Sequence, residues 1–182
     1  LALDLDEIAL AELFLDSVAG GPGTPLYAAL IASRTRLLKT GASAVFGYHS
    51  DEPGHPLMIG LAGLDPDSLD SERLAAIRGA ILNVLSAVHG WRDGDPALAA
   101  FNREAASRLA AQRKEARQAL DRPPMFGFRR GHADYWHSLL GLLERQPGAR
   151  KSLVLEDRYR NLAAALAAGR NLWRGAIDRW GL

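Results

Sequence analysis

Apolar and polar positions recur with two periods along this 182-residue chain, and the change of period marks its elements. A helical period runs from about Asp4 to Val18, with Asp4, Asp6 and Glu7 suited to the positive end of a helix dipole. Gly20-Gly21-Pro22-Gly23 interrupts it, and Thr24-Pro25 restarts it as an N-cap followed by proline in the first turn. Leu26/Tyr27, Leu30/Ile31 and Leu37/Leu38 continue the period, which predicts a second helix stopped by Gly41. The period then becomes that of strands. Residues 44–49 and 56–61 flank the turn-rich Ser50-Asp51-Glu52-Pro53-Gly54, the pattern of a β-hairpin. A lone hairpin is marginal in water, so it has to pack on helices.

The rest reads as helix. Asp70-Ser71 caps a third, whose stripe is Leu74, Ile77, Ile81, Val84/Leu85 and Val88, ending at Gly90. Asp95-Pro96 opens a long polar helix to about Leu120, and Pro123-Pro124 ends it. After the connector 125–130, a fifth helix is predicted over Ala133 to Arg145. A sixth is predicted from Ser152 to Trp180, with the seam Leu155, Tyr159, Leu162, Leu166, Gly169, Trp173, Ile177 and Trp180. Gly169 on that seam predicts close backbone approach. The fold class is therefore mainly α: a single-domain helical bundle of about six helices, spanning 1–182, with one β-hairpin at about residues 44–61. The expected core includes Leu30, Ile31, Phe46, Ile59, Leu74, Ile77, Ile81, Leu85, Leu162, Leu166 and Trp173.

Composition narrows the chemistry. With no cysteine there is no disulfide, no thiolate nucleophile and no cysteine-bound zinc. No apolar run is long enough to span a bilayer, so no membrane partner is expected. The first residues, Leu1 to Asp4, lack an initiator Met and a signal-peptide pattern, which predicts a fragment of, or partner to, a longer assembly. Lysine occurs only at Lys39, Lys114 and Lys151, leaving nineteen arginines, a bias typical of high-GC bacterial coding. The net charge of +1 conceals a polarity: residues 1–72 carry eleven acids against three bases, and the remainder carries +9. Compensation within the fold is the plain expectation, and a basic surface for anions or nucleic acid is the other.

Four places hold residue types that could do chemistry. The densest is Arg129-Arg130-Gly131-His132-Ala133-Asp134-Tyr135-Trp136-His137, where Asp134 and His137 share a helical face. His132, Asp134 and His137 are the catalytic candidates, and Arg129 and Arg130 precede a helix start as anion-binding candidates. The hairpin turn brings His49 and His55 near Asp51 and Glu52, and both histidines are further ligand candidates. No second ligand set supports a metal there, so no metal is assigned. Gly20 to Thr24 is glycine-rich before a helix but lacks a following Lys-Ser/Thr, and reads as an interhelical loop. Arg103, Arg108, Arg113, Lys114 and Arg117 form a basic helix face with interspersed acids, which is most simply solvated.

No serine-hydrolase elbow, zincin motif or dinucleotide fingerprint occurs, and no cofactor is implied. These absences, with the charge polarity, predict a binding or regulatory module of the bacterial cytoplasm, acting beside another domain or a second protomer. The alternatives are an enzyme or sensor for an anionic small molecule, built on the Arg/His/Asp cluster, and a nucleic-acid-binding accessory domain. Trp173 and Trp180 fall on nearly one face, about 20° from alignment. With Arg174 beside them they are interface candidates if the fold leaves them exposed.

Overall fold

Short-range capping chemistry sets the helix starts. The computed structural model describes residues 5–49, 56–120, 144 and 156–182. Within them run α1 (Leu5–Ala19), α2 (Pro25–Leu30), β1 (Ala44–Tyr48), β2 (Met58–Ala62), α3 (Ser71–Gly90), α4 (Pro96–Leu120), α5 (Glu156–Ala167) and α6 (Leu172–Trp180). A single 3-10 turn, Pro66–Ser68, precedes α3. The architecture is mainly α with one antiparallel hairpin, as the hydrophobic pattern predicts. Thr24 Oγ1 accepts from the Tyr27 N–H at 3.4 Å, Asp70 from Arg73 at 2.7 Å and Asp95 from Ala97 at 2.8 Å. Each satisfies a backbone donor that a helix start leaves over. Among the described residues no helix is long and apolar enough to cross a membrane.

Two helices end earlier than their apolar spacing predicts. α2 stops at Leu30 rather than continuing to Gly41, because side chains and loop amides take over its last carbonyls. Thr35 Oγ1 donates to Ala28 O at 2.7 Å, the Leu37 N–H to Ala29 O at 2.7 Å, and the buried Thr40 Oγ1 to Leu30 O at 3.1 Å. Such bonds offer the backbone an alternative to another helical turn. Over the described residues 156–180, the helix expected to run unbroken from 152 to 180 is two helices. Gly169 adopts φ +69° and ends the first, where a left-handed turn favours glycine, and a Cβ there would meet nothing within 4 Å. Its role is a turn, in place of the close approach expected on the seam.

Asn171 then starts α6. Its Oδ1 accepts from the Trp173 and Arg174 N–H groups at 3.1 and 3.2 Å. Its Nδ2 donates to Val88 O and Trp91 O, both at 2.9 Å, tying the start of α6 to the end of α3.

The core gathers around α1, where Leu13, Phe14 and Val18 are fully buried. Phe14 lies 5.7 Å from the Trp173 ring and 5.5 Å from the Trp180 ring, and Phe101 meets Trp173 edge-on at 5.4 Å. Of the expected core, Leu30, Ile77, Leu85, Leu166 and Trp173 are buried, and Ile31, Ile59, Ile81 and Leu162 pack against it. Phe46 and Leu74 do not belong to it: each is about half exposed, Leu74 in the first turn of α3 and Phe46 on the outer side of the hairpin.

Candidate functional site: a cleft along the first strand

The hairpin has one lined face and one bare face. β1 pairs antiparallel with β2 from Ala44↔Ala62 to Tyr48↔Met58. Alternation sends Val45 inward, where it is 4% exposed, and sends Phe46 and Tyr48 outward beside Met58. The outer face, with Ala44, Phe46, Tyr48, Met58, Gly60 and Ala62, is entirely apolar apart from the tyrosine hydroxyl. Gly47 sets this polarity. A Cβ there would come within 2.5 Å of Leu15 Cβ, so a glycine lets the strand approach α1 closely. On the outer face the Phe46 ring lies over Gly60.

A cleft of about 760 Å³ opens beside this strand. Val45, Phe46, Gly47, Tyr48 and His49 all line it, while β2 contributes nothing. Four consecutive strand residues and the residue that follows them, whose side chains alternate between faces, share one cleft only if it follows the edge of the strand. The edge is the one turned away from β2. The floor comes from α1 (Glu12, Leu15, Asp16) and the following Gly20-Gly21 turn, and the far wall from α4 (Gln112, Glu115, Ala116) and Tyr159 of α5. Among the described residues three carboxylates line the cleft, and no lysine or arginine does.

Two of those carboxylates are engaged. His49 Nε2 lies 3.0 Å from Glu12 Oε1, its side chain 13% exposed, which anchors the end of β1 to α1. Asp16 Oδ1 accepts from Arg108 at 3.2 Å, and Arg108 also holds Glu104 one turn back, at 3.1 Å. Glu115 stands exposed on the far wall. Among the described residues no group of three or more His, Asp or Glu side chains could hold a metal ion. The arrangement presents hydrogen-bonding backbone, aromatic faces and negative charge, the means of recognising a ligand.

The residues singled out in the sequence fall in different places. His49 is in the cleft. His55, Arg129, Arg130, His132, Asp134 and His137 lie outside the described residues, as does most of the helix expected over 133–145. Trp173 and Trp180 are 0% and 5% exposed, members of their own chain's core rather than exposed anchors. Their N–H groups are used there: Trp173 Nε1 donates to Asn102 Oδ1 at 2.8 Å and Trp180 Nε1 to Glu7 Oε1 at 3.1 Å. Arg174 donates to His89 O at 3.0 Å and Trp91 O at 2.6 Å, closing the end of α3. In Gly20 to Thr24, the Thr24 hydroxyl donates to Gly21 O at 2.7 Å, so the loop closes on itself.

Part of the charge polarity is spent inside the fold. Arg179 grips Glu7 through Nε at 2.9 Å and Nη2 at 3.3 Å to the two carboxylate oxygens, and Arg158 meets Asp6 at 2.9 Å. Arg113 and Arg117, from the basic face of α4, converge on Glu156 of α5. The cleft residues other than His49 carried no sequence signal as a set, because they come from five segments. Gly47 between aromatics was the usable clue: a strand glycine marks where another backbone comes close, and so which face turns inward. No protein-family model, no curated protein and no solved structure matches this chain, so the cleft has to be read from its own chemistry.

Proposed function

We propose that this chain is a binding module whose recognition surface is the cleft along β1, acting beside another protein in the bacterial cytoplasm. The observation that carries this reading is the alignment of the open edge of β1 with that cleft, rimmed by the exposed Phe46 and Tyr48. Large exposed aromatics beside a concave surface have the composition of recognition sites. The absence of cysteine and the arginine-over-lysine bias support the cytoplasmic, bacterial setting. A library of random eight-residue peptides displayed on phage tests it, panned against the wild type and against Tyr48→Ser. Enriched sequences should bind the wild type saturably and bind Tyr48→Ser roughly ten-fold more weakly. A library that enriches nothing, or sequences that bind both proteins equally, would overturn the reading.

A further inference from the structure

Resting on that reading, we propose that the cleft takes an extended peptide segment of a partner protein, added to β1 as a third strand, with apolar and basic residues alternating along it. Three independent features of the cleft lead to this class of ligand.

The first is the free edge. Among the described residues β1 is paired only with β2. In an antiparallel pair every second residue turns its N–H and C=O away from its partner strand. Those groups of β1 face the cleft, since four consecutive residues of the strand and the following His49 line it and β2 does not. Main-chain groups presented along a groove between a strand and a helix recognise an extended backbone, whatever its side chains.

The second is the pleat. A strand added at this edge continues the two faces of the hairpin. Side chains on its outer face would lie beside Phe46 and Tyr48, which are 48% and 52% exposed, and favour apolar partners. Side chains on its inner face would turn toward the α1 floor. The third is charge. Among the described lining residues, Glu12 is engaged by His49 and Asp16 by Arg108, so the exposed Glu115 on the α4 wall is the carboxylate that favours basic residues at the positions facing it. Period two in the ligand thus follows from the period of the sheet, and its charge from the lining.

The test uses the whole, isotope-labelled chain and four capped eight-residue peptides. These are alternating valine and lysine, alternating valine and glutamate, and two forms of the first that are N-methylated on every valine or on every lysine. The valine–lysine peptide should saturably shift amide signals of residues 44–49 and slow hydrogen exchange at alternate positions of β1. One N-methylated form should lose about ten-fold or more in affinity, because its blocked amides face β1, and the other should bind nearly as the parent does. The valine–glutamate peptide should bind at least ten-fold more weakly. Glu115→Gln should weaken the lysine peptide roughly three-fold, the scale of one exposed ion pair.

Equal binding of both N-methylated forms would overturn strand addition while leaving the cleft as a binding surface. Equal binding of the glutamate peptide would overturn the basic preference. Absence of any saturable shift would overturn the inference outright. The binding reading itself would fall only if the displayed library also enriched nothing, or enriched sequences that bind Tyr48→Ser as well as the wild type, so the two failures are distinguishable.

Discussion

Two aromatic groups sit in this protein in opposite environments. Phe14, Phe101, Trp173 and Trp180 interlock with ring centroids 5.4 to 5.7 Å apart, each at most 6% exposed. Phe46 and Tyr48 stand about half exposed on a two-stranded sheet. The difference lies in how many elements surround each group. The first group is enclosed by α1, α4 and α6, and the polar tips of its indoles are met by Asn102 and Glu7. The second belongs to a hairpin whose inner face meets α1 and whose outer face has no second layer among the described residues. Aromatic content alone therefore says little about role: burial makes one group a stabiliser, and exposure leaves the other available for contact.

The comparison is most exposed to substitution at its buried end. Trp173→Ala should cost about 3–5 kcal/mol in denaturant unfolding, or prevent folding, because it removes the ring shared by Phe14 and Phe101. A loss below about 1 kcal/mol would show that this cluster does not hold the fold. Gly47→Val comes next, at roughly 1–3 kcal/mol, since its side chain has to displace Leu15. It should also shift the hairpin signals and weaken any cleft ligand, which ordinary destabilisation elsewhere would not do. Asn102→Ala should cost about 1–3 kcal/mol by leaving the Trp173 N–H buried without an acceptor, read in the same unfolding measurement. Tyr48→Ser completes the contrast, with a stability change within about 0.5 kcal/mol and a loss of ligand binding. A large destabilisation there would move the outer aromatics into the structural class and remove the basis of the comparison.

Parts of the molecule were legible from local chemistry. The starts of α2, α3 and α4 followed from Thr24-Pro25, Asp70-Ser71 and Asp95-Pro96, because a cap is completed within three residues of itself. The hairpin followed from its period of two and its turn. Helix ends were harder. The carbonyls of α2 are claimed by Thr35, Leu37 and Thr40, which compete with helical bonds only once the loop has folded back. The break at Gly169 has a local cause, yet it can be told from a seam glycine only once Asn171 is seen bonding to the end of α3.

By itself the sequence determined the mainly helical class, the hairpin and most helix starts, since each rests on a period or a cap spanning a few neighbouring residues. Only the tertiary structure decided which face of the hairpin is bare, where the indoles point and what shares the cleft. Glu12 and His49 are thirty-seven residues apart, and Asp16 and Arg108 ninety-two. No local rule joins such pairs. They meet because burying the apolar faces of α1 and α4 leaves few arrangements, and each arrangement brings its own polar residues together at the rim.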